Sequence, residues 1–406
     1  MDVFVFISSI DMTEKLQAEC MERRLTVRFF QSSIDLLVSL NEEIPKFIIF
    51  STNQFTDYSL YCDFTDQLLQ LVKPRQIMIV LSEATFQKEK HMKFALSQDV
   101  DIQLDSSDSS AVVETMMHAI YGNQQVLTNK GKVMLFIGTT PNIGTTVISF
   151  GTAVKLAMES EQQIGYMCLN LKSSKLHRYL GMEKPPVSLD HIRAVLRSKN
   201  LSGDRLKQYC DTRDKLPNLH ILYGNLLREQ AEYFMPEDIE HLLAAAKEAF
   251  DVCIVEVSAY WDNAATISGL LNADSKVMVT SGELIYFQED FFRWSGALSS
   301  IIGVEIHSFD LVVNERSVGS YSIRDIRTET GLSVLSQLKR NEELTAILNQ
   351  GKLFELFMGP ETEFTNGIMR IAAIYMQIYH LRKKPQAERK KRWFKLPANP
   401  LGGLMR

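Results

Sequence analysis

Lys132-Val-Met-Leu-Phe-Ile-Gly138-Thr-Thr-Pro-Asn142-Ile-Gly144-Thr-Thr-Val-Ile-Ser-Phe-Gly151 is the stretch that decides the fold of this chain. Its apolar opening, Val133 to Ile137, reads as a buried strand. Gly138 to Ile143 reads as a tight polar turn, and a helix opens at Gly144. A turn that delivers successive backbone N–H groups into a helix N-terminus makes a concave, partly positive nest that suits a phosphate. The chemistry is incomplete, however. A working phosphate-binding loop of this kind reads G-x-x-x-x-G-K-[ST]. Here five residues separate Gly138 from Gly144, and Thr145-Thr146 follow, so the lysine that meets the β/γ-phosphates is missing. An ordinary strand-to-helix turn capped by threonine fits the same residues.

The segment resembles the deviant P-loop of the MinD/ParA class, K-G-G-x-G-K-T-[TS]. Laid over that pattern, Thr140 stands where the signature lysine belongs and Thr145 where the P-loop lysine belongs. The last glycine, Gly144, survives, as does a hydroxyl at Thr146 that could face a metal. The resemblance implies an α/β fold and an ATP or ADP site with magnesium. It also implies that both cations of that site are gone.

The 406 residues suit two domains. The 45% hydrophobic and 23% charged fractions are those of an ordinary globular protein. No apolar run approaches the roughly 18 to 20 residues of a membrane-spanning helix. Met-Asp-Val-Phe-Val-Phe-Ile has neither a basic start nor a small-residue cleavage site, so it reads as a first strand, and a cytoplasmic chain is expected. The five cysteines (Cys20, Cys62, Cys168, Cys210, Cys253) form no C-x-x-C pair and read as reduced thiols. The eight histidines show no zinc-hydrolase spacing. A net charge of -5 argues against a general nucleic-acid surface.

Residues 1–122 alternate strand and helix. Strands are expected at Val3 to Ile7, Thr26 to Phe30, Lys46 to Phe50, Gln76 to Leu81 and Asp101 to Leu104. Helices are expected at Met12 to Arg23, Ser32 to Leu40, Phe64 to Val72, Gln87 to Leu96 and Ser109 to Tyr121. This order predicts a small doubly wound parallel sheet. It resembles the receiver domain of two-component signalling, whose acidic positions here read Ser8-Ser9 and Ser51-Thr52; the lysine position reads Asp105-Ser106-Ser107. Only Ser82 fits the family's hydroxyl position. Without a carboxylate cluster nothing holds the metal or accepts phosphate, so the unit reads as an interaction module, a pseudo-receiver. An unrelated flavodoxin-like domain is the alternative. Residues 123–131 are polar and aperiodic and read as a linker.

Residues 132–381 continue the MinD/ParA resemblance in order. The strand Ile164 to Leu169 ends at Asn170-Leu171-Lys172, where the class has an aspartate that positions the attacking water. Leu219 to Tyr223 runs into Gly224, and a helix follows from Pro236 to Phe250. Asp251 to Val257 has the form of a Walker B strand, with Glu256 in the aspartate place. Glu256 could reach a metal-bound water or simply bond a neighbouring turn. A strand at Ser275 to Thr280 precedes a long helix from Leu284 to Ile302, dense in aromatics (Tyr286, Phe287, Phe291, Phe292, Trp294), which reads as core or partner surface. Phe309 to Val313 ends at Asn314, a candidate adenine reader by resemblance and an ordinary turn residue otherwise. A last strand at Leu332 to Leu335 and a closing helix from Glu363 to Leu381 complete the unit. The resemblance thus assigns Gly138, Asn142, Gly144, Thr145, Thr146, Asn170, Glu256 and Asn314 to what remains of a nucleotide site.

From Arg382 to Lys395 eight of fourteen residues are basic: Arg382, Lys383, Lys384, Arg389, Lys390, Lys391, Arg392 and Lys395. Trp393 and Phe394 stand beside them. Such a tail suits an anionic membrane leaflet, at roughly 1 kcal/mol per cation near the surface. It also suits an acidic partner or a solvated end.

A pseudo-receiver joined to a degenerate MinD/ParA-like unit is similar in layout to the pilus-assembly localisation proteins called TadZ or CpaE. That resemblance implies a non-hydrolysing scaffold serving a membrane-associated pilus or secretion machine from the cytoplasm or the inner face of the plasma membrane. Its protein components would be the partners, and a homodimer is implied as well. Two alternatives are a nucleotide-binding switch with little chemistry and an active ParA-type ATPase, which would need the lysines that Thr140 and Thr145 replace.

Overall fold

A computed structural model describes residues 2–22, 25–81, 85–98, 100–104, 112–113, 116, 131–172, 174–293, 297–316 and 319–384. Ser82, Asp105 to Ser107, most of the expected helix Ser109 to Tyr121, the linker up to residue 130, Trp294 and the tail from residue 385 lie outside the described residues.

The first sheet has five strands: β1 (Val3–Phe6), β2 (Val27–Phe29), β3 (Phe47–Ser51), β4 (Ile77–Leu81) and β5 (Asp101–Leu104). Their spatial order is β2-β1-β3-β4-β5, with every pair parallel. Parallel strands covered on both faces need apolar side chains at every position, which is why these read as continuous runs. Val3 and Val5 join Ile49, Met78 and Val80 on one face, while Phe4 and Phe6 join Phe50 and Ile79 on the other. The intervening helices are Ile10–Glu22, Ser33–Glu42, Tyr58–Leu71 and Thr85–Ser97. Ser32 caps the second, accepting from the Ile34 N–H, and Asp57 caps the third, accepting from the Leu60 N–H.

The second sheet has eight strands: β6 (Lys132–Gly138), β7 (Ile164–Leu169), β8 (Asp211–Arg213), β9 (Leu216–Leu222), β10 (Val252–Val257), β11 (Ser275–Ser281), β12 (Phe309–Arg316) and β13 (Ser333–Lys339). They lie in the order β13-β12-β11-β6-β10-β7-β9-β8. β8, the single antiparallel member, closes a hairpin on β9. It was not expected, because Asp-Thr-Arg is too short and too polar to carry a strand period. β6 lies between β10 and β11. The chain leaves β6 toward β7 on one side and reaches β11 on the other, so the turn after β6 stands at a topological switch point.

Two further departures concern length and regularity. The last strand, β13, runs on to Lys339, four residues past its expected end. Within the expected helix from Leu284 to Ile302, a π-helical turn runs over Ile285–Asp290 and an α-helix over Ala297–Ile302. Phe287 and Phe291 point into the core, while Ile285 and Phe292 are exposed.

The first unit is bolted to the second through the helix Thr85–Ser97, which lies against β13 and the closing helix Glu363–Ile378. Lys93 Nζ sits 2.5 Å from Asp310 Oδ2 of β12 and 2.8 Å from Glu89 Oε1. Tyr375 of the closing helix donates to the same Asp310 oxygen at 2.8 Å. Arg327 pairs with Asp66 at 2.8 Å and stands over the Phe94 ring.

Candidate functional site

β6 carries its apolar run to Gly138, where no larger residue fits. A Cβ there would lie 2.7 Å from the Ile143 side chain and 2.8 Å from both the Thr140 carbonyl and the Thr145 hydroxyl. Thr139 is buried and donates its N–H to the Val279 carbonyl of β11 at 2.9 Å, which ties the start of the loop to the sheet. Asn142 takes a left-handed conformation (φ 64°), which asparagine tolerates better than most residues.

Gly144 (φ 96°) opens the helix Thr145–Glu159 with no side-chain cap. The first intrahelical bond runs from the Ile148 N–H to the Gly144 carbonyl, so the amides before it face out of the helix end. Asn314 reaches the loop from the end of β12. Its Nδ2 donates to the Ile143 carbonyl at 2.9 Å and lies where a Gly144 side chain would have to go, 2.5 Å away. The other half of that carboxamide, Oδ1, is buried and has no hydrogen-bond partner among the described residues. The structure thus brings Gly138, Asn142, Gly144 and Asn314 into one loop assembly with an unanswered acceptor beside the helix end.

The hydroxyl and the acid have turned toward each other. Thr146 Oγ1 donates to Glu256 Oε1 in a short hydrogen bond, and Tyr166 of β7 donates to Glu256 Oε2 at 2.8 Å. The Cys168 thiol adds a third donor, and Ser149 lies 3.1 Å from the Tyr166 hydroxyl. Burial pushes the Glu256 carboxyl up, against these hydrogen bonds, which favour its ionised form. The Tyr166 hydroxyl is driven well above its ordinary range by burial and by Glu256. Glu256 is thus a buried acid that accepts from a helix hydroxyl and a strand tyrosine. Tyr166 and Ser149 had no sequence signal: both sit inside runs that read as plain core.

Asn170 follows β7, the second strand out from β6, and its backbone hydrogen-bonds the Cys168 thiol. Beyond it Lys172 pairs with Asp262 at 3.0 Å, joining the exposed ends of β7 and β10. Thr145 places its hydroxyl against Gly138. Asp290 lies on the π-helical turn after β11. Burial and Glu289 push its carboxyl up, while Arg293 and the Thr140 hydroxyl oppose the shift. Among the described residues no lysine or arginine bonds residues 138–146, and no cluster of three metal-binding side chains occurs.

Among the described residues the buried Asn314 oxygen suits a donor such as an exocyclic amine, and the outward-facing amides of the helix end suit a phosphate. On the magnesium side Thr146 gives its proton to Glu256 and keeps its oxygen lone pairs as acceptors. The lysine places of the loop hold Thr140 and Thr145.

The basic tail begins against the second unit: the backbone of Lys383 forms a β-bridge with Ser160 while the Arg382 and Lys383 side chains stay exposed, and Lys384 Nζ donates to the Ala157 carbonyl at 2.6 Å and to Asn218 Oδ1 at 3.3 Å. These residues are folded onto the second unit. Arg389, Lys390, Lys391, Arg392, Trp393, Phe394 and Lys395 lie outside the described residues. Among the described residues no helix is long and apolar enough to cross a membrane.

No family model and no curated protein matches this chain. Solved structures do. A ParA family ATPase from Chlorobium tepidum aligns with TM-score 0.52 and 19% identity over 59% of this chain and 98% of that one. A chain of the MinC:MinD cell division protein complex from Aquifex aeolicus aligns at 0.50 with 15% identity, over 61% and 96%. The cell division ATPase MinD of Pyrococcus furiosus aligns at 0.50 with 15% identity, over 61% and 99%. At these identities the likeness is one of fold: the chain contains a MinD/ParA-like α/β fold.

Proposed function

We propose that this chain is a non-hydrolysing MinD/ParA-like scaffold, a localisation factor of the TadZ/CpaE type that serves a membrane-associated pilus or secretion machine. The observation that carries the reading is the loop after β6, to which no lysine or arginine among the described residues bonds. Phosphoryl transfer is catalysed almost entirely by positioned positive charge and a metal. Here the lysine places hold Thr140 and Thr145, and Asn170 replaces the water-positioning acid. Residues 1–122 act in this reading as a pseudo-receiver, 123–131 as a linker, 132–381 as the scaffold, and the basic segment beyond Lys384 as a contact for anionic lipid or an acidic partner. A homodimer would pair through the face at the carboxyl ends of the strands, where Leu227, Tyr260 and Ile285 are exposed. The chain would work in the cytoplasm, against the inner face of the plasma membrane.

The test is turnover. The purified full chain should release phosphate from ATP with magnesium no faster than buffer. Release well above background that Thr146→Ala abolishes would overturn the reading.

The unanswered Asn314 Oδ1 favours a second reading, a switch that holds ATP or ADP without consuming it. Calorimetric titration with nucleotide and magnesium separates the two, since a pure scaffold gives no heat at millimolar ligand.

A further inference from the structure

We infer that the basic, aromatic residues 389–395 dock on a second copy of this chain, against an acid-rimmed apolar patch at the carboxyl end of β11, so that copies join head to tail. The inference rests on the part of the reading above that makes the segment beyond Lys384 a contact, and it commits that contact to protein instead of lipid.

The π-helical turn Ile285–Asp290 builds the patch. Phe287 and Phe291 are buried, which leaves Leu284, Ile285 and Phe292 on the outward side, with Ile285 55% and Phe292 47% exposed. Tyr321, also exposed, closes one flank: its N–H donates to the Gly282 carbonyl at 2.9 Å and its ring centroid lies 5.3 Å from that of Phe287. Large apolar side chains gathered in this way on one surface mark a place for a partner. The rim is acidic. Glu283 and Glu289 lie on the turn's exposed side, and Asp325 and Glu329 stand on the facing helix Ile323–Thr330, joined to the turn by a hydrogen bond from Gln288 to Glu329. The cations nearby are already engaged: Arg293 pairs with Glu289 at 2.8 Å, Arg324 with Asp63 at 3.4 Å and Arg327 with Asp66 at 2.8 Å. Glu283, Asp325 and Glu329 form no ion pair among the described residues.

Residues 389–395 have the complementary composition, five cations around Trp393 and Phe394. Arginine and aromatic side chains are the usual anchors of protein interfaces, and opposite charge speeds their encounter. Distance decides whose patch they reach. Lys384 is fastened to the last turn of the helix Thr145–Glu159, its N–H donating to the Glu159 carbonyl at 2.8 Å. That helix starts level with the patch, at the carboxyl end of β6, and runs about 22 Å away from it. It also lies on the other face of the sheet: Ile148 and Phe150 pack with Tyr375, whereas Phe287 and Phe291 pack with Leu311 and Val313. A path back along the helix and over two layers, each roughly 10 Å thick, is about 40 Å or more. From Lys384 to Trp393 the extended chain spans at most about 31 Å. The aromatic pair therefore falls short of its own patch, while a neighbour's is under no such limit. A contact between two different surfaces leaves one of each free, so further copies can add.

Sedimentation velocity on the full chain tests this, over a range of protein concentrations and from about 0.05 M to about 0.5 M salt. The native chain should grow past a dimer as concentration rises, and salt should weaken the growth. A tail variant, Trp393→Ala with Phe394→Ala, and a patch variant, Ile285→Ser with Phe292→Ser, should each weaken association at least about tenfold at an unchanged melting temperature. Glu283→Lys, which keeps the apolar contacts, should weaken it less and flatten the salt dependence. Mixed together, the tail and patch variants should form a one-to-one pair that grows no further, because one supplies an intact tail and the other an intact patch. A mixture that stays monomeric overturns the inference. So does a dimer that survives the tail variant, which leaves the symmetric pairing of the carboxyl-end faces standing. A native chain that is monomeric throughout, yet sediments with phosphatidylserine vesicles through its tail, overturns it and leaves the membrane contact in place.

Discussion

Replacing Lys93 with methionine strands a carboxylate. In the native protein the Lys93 and Asp310 side chains are 6% and 4% exposed, and the Tyr375 hydroxyl completes the group. Burial pushes the Asp310 carboxyl up, and Lys93 and Tyr375 pull it back. Removing one partner of such a pair leaves a buried charge without its counter-charge, which costs about 3–5 kcal/mol. For a unit of this size each kcal/mol lowers Tm by about 2–4 °C, so Lys93→Met should melt about 6–20 °C lower at neutral pH. The sign with pH follows from linkage. Without Lys93, burial raises the folded pKa of Asp310 above its unfolded value of about 3.9. A raised folded pKa leaves stability intact below the unfolded value and removes it as pH rises through the folded one. The loss should therefore be small near about pH 4 and full at neutrality. Adding Asp310→Leu removes the stranded acid and should restore most of the stability, because apolar replacements of a buried pair are often neutral. Urea unfolding, followed by circular dichroism at several pH values, reads all three chains. A loss below about 1 kcal/mol at every pH, or a double variant no more stable than Lys93→Met, would refute the reasoning.

Gly144→Ala should cost about 1–3 kcal/mol by strain at a left-handed position and should displace Asn314, which a melting curve and the Asn314 side-chain amide resonances would register. Gly151→Ala drives a methyl to within 2.4 Å of the Phe357 ring and should lose about 1–3 kcal/mol by overpacking, measured by urea titration. A chain ending at Lys384 should keep its melting temperature, because the Lys384 anchor is retained. It should also lose co-sedimentation with phosphatidylserine vesicles at low salt; retained sedimentation would remove the tail from membrane contact.

The second sheet was legible because strands covered on both faces leave long apolar runs, of which Val252–Val257 is the plainest. β8 was not, since a three-residue polar edge strand is specified by its partner and not by its own period. Gly144 and Asn314 could be singled out from the strand-turn-helix pattern and the family likeness. Tyr166 could not: inside Ile164–Leu169 it looks like one more buried ring, and only the fold shows its hydroxyl meeting Glu256. The π-helical turn over Ile285–Asp290 was hidden for another reason: nothing in local periodicity announces it. Lys93 and Asp310 lie in different units, and Lys384 looked like one more tail charge; contacts so distant in sequence leave no trace in either segment.

The bolt between the two units also bears on how the protein is dissected. Cutting near residue 122 is the obvious way to ask what the N-terminal half captures. Each fragment would then carry a raw face. On one side Met92, Leu96 and an orphaned ammonium would meet water; on the other Leu335 and Leu338 would lose cover beside an orphaned acid. Such halves would recognise each other, and much else, more readily than any physiological ligand. Bait for this protein is best kept whole.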